Sequence, residues 1–426
     1  MPKPGASQGV LSVIAGIAAG LVGFLGSFVI VIAMMQNLGA TDEQISSGLL
    51  AVCFAIGLTT YFLAYTTKAP ITIAWSTPGA ALIAGAFAAS EGDSELFSHA
   101  MGAFMLTGVL LIATGLIRPL ADLVSKIPGE IAQAMLAGFL LSYCTKPFLN
   151  LAAEPLLAGL IVGVWLIALW KAPRWAIPAA FVASCLVIAF TFNAADLEDV
   201  NILPHLEFVM PSISMAAIVN ISLPLYLVTM ASQNLPGLAI LKAYDYKLPW
   251  KRAMVSTGFM SSIAALFGGL TINLAAISAA LSAGSESGVK RLRRWRSAMW
   301  SGNTYLIIGL LCSFIVVIIS AAPVEVFSTL AGLALIGTFS GSVAGAWKNP
   351  AEHSRMPAAI TFVIAASGLT IFGIGAAVWS IAGGLIVRGI LLARKQSQED
   401  KIAQEHADHQ YSGLVCKSCE QPAGGW

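Results

Sequence analysis

Apolar stretches long enough to cross a bilayer recur along almost the whole chain, and no other feature constrains its fold so tightly. They centre near Gly23, Ala55, Ala81, Thr107, Ala137, Val162 and Ala183, then near Leu225, Ser261, Ala279, Leu310, Leu333, Val363 and Ala382. A helix needs about 20 mostly apolar residues to span the hydrocarbon. In lipid every backbone polar group must find an internal partner, so such stretches fold as helices. Of the 426 residues 57% are hydrophobic and 10% charged, against roughly a quarter charged in a typical soluble domain. That shortage excludes a soluble enzyme and a disordered protein, and a net charge of +2 gives no footprint for a nucleic-acid partner. The stretch from Val10 to Met35 is too long for a secretory signal and reads as the first span. Cys53, Cys144, Cys185 and Cys312 lie inside apolar runs as small hydrophobes, which argues against a disulfide framework. The expected fold is an all-α polytopic membrane protein with 14 transmembrane segments.

Cytoplasmic loops of membrane proteins are enriched in Lys and Arg. With 14 alternating spans and a cytoplasmic N-terminus, every Lys and Arg up to Lys395 falls on the cytoplasmic side except Lys146. The densest group is Lys290, Arg291, Arg293, Arg294 and Arg296, while the opposite loops carry Asp42, Glu43, Glu91, Asp93, Glu95 and the acids of 196–207. This partition predicts a multi-pass protein of the inner membrane with both termini cytoplasmic. The basic cluster reads as an orientation signal that also attracts anionic lipid.

The two halves share sequence at a nearly constant offset. Gln36-Asn37-Leu38 recurs as Gln233-Asn234-Leu235, ITIAWSTPGAALIAG (Ile71 to Gly85) aligns with LTINLAAISAALSAG (Leu270 to Gly284), and Pro128-x-Glu130 recurs as Pro323-x-Glu325. Seven spans per half is an odd number, so the second half enters the membrane inverted, the build plan of many secondary transporters. Residues 8–195 are expected to form repeat 1 (spans 1–7) and 208–395 repeat 2 (spans 8–14). Residues 396–426 read as a disordered cytoplasmic tail. The tail holds His406, His409, Cys416 and Cys419, too little to specify a metal site, and no cofactor is expected.

Interrupted hydrophobic segments at corresponding places in two halves point to a binding site. Spans 3 and 10 fit this description, each with a short extended stretch before a helix. In span 3, Ala69-Pro70 opens the β-branched run Ile71-Thr72-Ile73, and Trp75-Ser76-Thr77-Pro78-Gly79 follows, with Ser76 or Thr77 as N-cap and Pro78 at the first helical position. In span 10, Gly268 to Asn273 is the extended part, followed by Leu274, Ala275 and Ala276, where a helix begins. Two half-helices starting at mid-membrane turn electropositive N-termini and free N–H groups on one place, which suits an anion without placing a fixed charge in lipid. No Lys, Arg or His lies near the centre of any span. Trp75, Phe24, Phe28 and Leu274 supply apolar surface, and Gln36, Gln233, Asn234 and Asn273 supply polar groups. Trp75 reads equally as packing at a kink, and the Gln-Asn pairs as interhelical glue. Glu130 and Glu325, repeat partners at span edges, are candidates for proton coupling or gating. Compensation of helix N-terminal charge explains them as well.

The segments IAWSTPGAALIAG (73–85) and MASQNLPGLAIL (230–241) resemble signatures of the bacterial benzoate/proton symporter family, with similarity from about Gly9 to Arg394. The Gln-Asn pairs and interrupted spans are more distantly similar to nucleobase transporters of the seven-plus-seven inverted-repeat fold. That resemblance implies a core domain of spans 1–4 and 8–11, a gate domain of spans 5–7 and 12–14, and an elevator-like movement between them. Nucleobase carriers of this type use a glutamate in span 8; here the stretch reads Ser232-Gln233-Asn234, which argues against a nucleobase substrate and leaves the proton carrier unassigned. The resemblance implies import of benzoate or a similar aromatic carboxylate with protons, with the lipid bilayer and a second copy as a homodimer as further partners. Composition and spacing reach only to an organic anion carrier. The rival reading is an organic or inorganic anion exchanger or channel on the same fold. A membrane enzyme fares worst, since no HExxH, GxSxG or phosphate-loop motif occurs.

Overall fold

Helix boundaries in the computed structural model fall where the sequence changes its chemistry. It describes residues 8–87, 94–117, 119–120, 122, 128–191, 203–275, 277–320 and 323–412. The first half contains α1 (Gln8–Leu25), α2 (Phe28–Asn37), α3 (Asp42–Thr67), β1 (Ile73–Trp75), α4 (Thr77–Ala86), α5 (Ser94–Leu116), α6 (Gly129–Ala153), α7 (Pro155–Lys171) and α8 (Ala176–Thr191). The second contains α9 (Met215–Ala243), α10 (Trp250–Ala265), β2 (Ile272–Leu274), α11 (Ile277–Ala283), α12 (Trp295–Leu310), α13 (Cys312–Ser320), α14 (Val324–Ala346), α15 (Glu352–Ala366) and α16 (Ala376–Ser412). Helix α3 shows how local sequence sets an element. Thr41 and Gln44 form a reciprocal capping box, Asp42 and Glu43 complement the dipole, and Lys68 closes the helix in the left-handed conformation.

Six helices among the described residues are long and apolar enough to cross a membrane. A seventh arises if Arg291–Leu310 and Cys312–Ile319, bent by 58° at their junction, act as one. Shorter apolar helices, α4, α7 and α8, accompany them. The first long segment, Gly9–Asn37, is broken at Gly26-Ser27, a small-residue pair of the kind that kinks helices.

Small residues set the closest helix approaches, as expected where lipid removes the hydrophobic drive between helices. Helix α3 packs on α12 where Gly57 meets Gly302, and α5 packs on α10 where Gly108 meets Gly258. Both pairs run antiparallel, because Cys53 faces Gly309 while Gly57 faces Gly302, and Gly115 faces Met254 while Gly108 faces Gly258. The α6–α14 pair is antiparallel as well: Asn150 reaches Glu325 O at 3.0 Å at one end, and Gln133 lies against Gly345 at the other.

Helix α16 continues through residues 396–412 without a break to Ser412. The physical reason is composition: Lys395 to Ala407 is rich in Lys, Gln, Glu and Ala, strong helix formers, and Lys395 pairs with Glu399 at 3.6 Å one turn on. Residues 413–426 lie outside the described residues, as does Ala276.

The glycine crossings generate a stability prediction. A Cβ at Gly258 would collide with the Gly108 backbone carbonyl, whereas one at Gly337 meets nothing within 4 Å. Gly258→Leu should therefore lose about 3 kcal/mol or more, seen as a lower thermal midpoint in detergent. Gly337→Ala should match the parent.

Candidate functional site

The two interrupted segments meet as a buried pair of antiparallel strands. Ile73 lies opposite Leu274, Ala74 opposite Asn273, and Trp75 opposite Ile272. Each strand is reached by a turn that ends the preceding helix. Lys68 with Ala69-Pro70 leads into β1, and Gly268, at φ +84°, leads into β2 while passing close to Gln44 O and Gly48 of α3. Backbone that is not helical survives at such depth only if every polar group is satisfied by protein.

Here that accounting is done by side chains of three helices. Between the strands, Ser76 N donates to Thr271 O and Ala275 N to Thr72 O, each at 3.0 Å. On the outer edges, Ile73 N donates to Thr60 Oγ1 of α3 at 3.1 Å and Ile272 N to Ser261 Oγ of α10 at 2.9 Å. Leu274 N donates to Asn234 Oδ1 of α9 at 3.0 Å. Asn234 lies in a π-helical turn, Met230–Asn234, a local widening common at functional sites. Oriented to satisfy its neighbours, the Asn273 side-chain amide accepts from Ser76 N at 3.0 Å and donates to Leu274 O at 2.9 Å.

Helix α4 begins directly beyond this crossing. Ser76 Oγ accepts from Gly79 N at 3.2 Å, Pro78 occupies the first turn, and Ser76 Oγ also bonds Thr229 Oγ1 of α9 at 2.6 Å. Gly79 lets Leu225 of α9 close on the helix start, where a Cβ would clash. Helix α11 begins at Ile277, at the other end of the strand pair. Antiparallel pairing therefore separates the two N-termini. Ser76 sits beside Thr271 and Ala275 beside Thr72, four strand steps or about 13 Å apart. The electropositive ends flank the crossing instead of meeting at one point.

Trp75 is 1% exposed and packs against Phe24 and Tyr305, with ring centroids 5.3 and 5.8 Å away. Its Nε1 donates to Ser27 Oγ at 2.8 Å, and Thr77 Oγ1 donates to the same oxygen at 2.9 Å. Ser27 stands at the α1–α2 break, so the kink in the first segment anchors the start of α4. Phe28 stacks on Phe24 at 5.0 Å and meets Phe181 of α8 edge-on at 5.6 Å.

The sequence-derived candidates thus separate. Ser76, Thr77, Pro78, Gly79, Asn234, Asn273, Leu274 and Ala275 converge on the crossing, while Trp75 is turned into an aromatic cluster. Asn234 and Asn273 are fully buried and bonded to the strands. Gln233 is half-buried beside them and makes no side-chain hydrogen bond among the described residues. Its repeat counterpart behaves differently: Gln36 is exposed, and Asn37 Nδ2 donates to Ala84 O and Tyr143 OH, both at 2.9 Å, at the far end of α4. Glu130 and Glu325 stand half-buried in the first turns of α6 and α14, at opposite ends of that helix pair and apart from the crossing. Sequence reading missed Ser27, Thr60, Thr229, Ser261 and Tyr305. Lone hydroxyls in apolar helices were the available signal for the first four.

These contacts predict unequal effects of neighbouring substitutions. Asn234→Leu leaves Leu274 N buried without a partner and should cost about 1–3 kcal/mol. Gln233→Leu should stay within about 0.5 kcal/mol. Thermal unfolding in detergent compares them.

Comparison with known proteins bears on what this arrangement serves. The family described as benzoate membrane transport protein (BenE) matches residues 6–390. The chain is 37% identical over 376 residues to the inner membrane protein YdcO of Escherichia coli, covering 88% of this chain and 94% of that protein. It is 30% identical over 387 residues to the benzoate membrane transport protein of Acinetobacter baylyi, covering 90% and 96%. Among solved structures, it resembles the transmembrane domain of a cyanobacterial bicarbonate transporter, BicA, with a TM-score of 0.56 at 16% identity over 88% of this chain and 97% of that one. It also resembles the murine Slc26a9 anion transporter in its inward-facing state, with a TM-score of 0.60 at 13% identity over 91% and 68%. The fold is shared with these transporters, and the chain belongs to the benzoate membrane transport protein family, a family of membrane transporters and not of enzymes.

Proposed function

We propose that this protein imports benzoate or a similar aromatic carboxylate together with protons, by elevator-type alternating access, in a bacterial inner membrane. The observation that carries the reading is the buried β1–β2 crossing, in a chain of this family. It ties the start of α4 to α9 through Ser76 and Thr229, and it holds the Met230–Asn234 turn, home of the unpartnered Gln233, through Leu274 N and Asn234. The carboxylate binds near the α4 N-terminus at Thr77, favoured by the helix dipole and by a donor from Gln233. Asn273, Asn234, Leu274 and Ala275 shape the opposite wall, and the cluster of Trp75, Phe24 and Phe28 backs the ring.

The proposed frame is 14 spans in two inverted repeats, 8–195 and 208–395, with both termini cytoplasmic. The antiparallel glycine crossings support it: α3 on α12 and α10 on α5 are the same contact with the halves exchanged. Spans 1–4 and 8–11 form the moving core and carry the crossing. Spans 5–7 and 12–14 form the gate and meet in the α6–α14 pair. Glu130 and Glu325, at opposite ends of that pair, are the coupling or gate residues of the two faces, and a homodimer is the working assembly. A second reading, an anion exchanger or channel, is favoured by the similarity to structures of a bicarbonate and an anion transporter.

Radiolabelled benzoate uptake into proteoliposomes decides between them. Symport predicts accumulation that rises with an inward proton gradient and collapses with a protonophore. Uptake that follows only a trans anion, whatever the pH gradient, would establish exchange instead. A hydrogen bond to a charged group contributes about 1.5–3 kcal/mol, so Gln233→Leu should raise KM about tenfold or more while insertion is unchanged. An unaltered KM removes Gln233 from the site.

A further inference from the structure

A second place in the molecule has the character of a ligand site, on the helices α3 and α10 that hold the crossing. The outer face between α3 and α10 holds an open groove of about 880 Å³. Its walls include Leu58, Phe62, Phe259 and Met260, with the first three about half-exposed. At one end stand Trp250, Lys251 and Arg252, the first residues of α10.

Three observations there point to a ligand with an anionic head and an apolar tail. Lys251 and Arg252 are exposed and form no salt bridge among the described residues. The N-terminus of α10, a helix of 16 residues, has no side-chain cap, so its first N–H groups add to the positive potential. Thr59, 2% exposed, and Trp250 both belong to the groove wall, and the Thr59 hydroxyl and the Trp250 indole N–H are buried with no partner. Buried donors of this kind are rarely left unpaired in a folded protein.

The apolar part has the length of an acyl chain. The groove shares Leu58 and Met260 with a second cavity of about 450 Å³, bounded by Phe54, Leu206 and Phe267. The groove itself follows α10 from Trp250 to Met260, about 15 Å for ten residue steps. One leaflet of hydrocarbon is about 15 Å deep.

We infer that this groove binds one anionic phospholipid, its phosphate held by Lys251, Arg252 and the α10 N-terminus, and an acyl chain lying along α3 and α10. Trp250 Nε1 donates to the head-group oxygens. Because α10 carries Ser261, the hydroxyl that holds β2 through Ile272 N, occupancy of the groove bears on the helix that supports the crossing.

The test uses the full chain purified in detergent, titrated with phosphatidylglycerol, phosphatidylcholine or inorganic phosphate, and read by thermal shift and native mass spectrometry. Phosphatidylglycerol should raise the midpoint and be retained as a single adduct, phosphatidylcholine should do so weakly, and phosphate alone should do nothing. Each basic residue adds to attraction for anionic lipid, so the Lys251→Gln/Arg252→Gln double variant, both exposed positions, should lose about thirtyfold in phosphatidylglycerol affinity. Arg293→Gln, in the separate basic cluster, should retain it. Ser256→Trp, which fills the groove and leaves both cations, should also displace the adduct. Equal response to the two lipids, a response to phosphate alone, or loss in Arg293→Gln with retention in the double variant would overturn the assignment.

Discussion

The structure depends on how a few residues of non-helical backbone are kept dry and hydrogen-bonded at the centre of a membrane protein. Strands β1 and β2 satisfy one another along one edge only, and two strands of three residues have no independent stability. Thr60, Ser261 and Asn234 complete the set from α3, α10 and α9. Each bond ties a different helix to the crossing, so the interrupted segments, otherwise the weakest part of the fold, become the place where both halves of the chain are joined. The result is a helix start, that of α4, held at the crossing by hydroxyl and backbone partners.

Several side chains at the crossing serve two partners. Ser76 caps α4 and at the same time bonds α9, Ser27 receives both Trp75 and Thr77, and Asn273 bridges its own strand to Ser76. Most of the polar groups near the site are therefore committed to architecture. Near the crossing, the Gln233 amide, the Thr72 and Thr271 hydroxyls and the Tyr305 OH have no hydrogen-bond partner among the described residues.

Much of this was legible in the sequence, for identifiable reasons. Pro and Gly punctuation around Ile71–Ile73 and Leu270–Asn273 marked the breaks, and Ser76 with Pro78 marked the helix start, because caps and turns are local chemistry. Other features depended on partners that periodicity does not reveal. Antiparallel pairing sets the two N-termini about 13 Å apart, a separation that only the register defines. The Gln-Asn repeat read as one motif used twice, yet Asn37 secures the far end of α4 while Asn234 secures β2, because α2 ends at Asn37 and α9 continues to Ala243. Trp75 was read as surface for a substrate ring or as packing, and it lies buried against Phe24 and Tyr305. The continuation of α16 to Ser412 was missed because polar composition alone does not separate an exposed helix from a coil.

The most direct measurement is a pair of cryo-electron microscopy maps of the full chain in nanodiscs, one with saturating benzoate and one without. The account predicts β1 and β2 paired in both maps, and new density in the benzoate map in contact with Thr77 and Gln233. Strands that run apart, or ligand density seated elsewhere with that place empty, would contradict it.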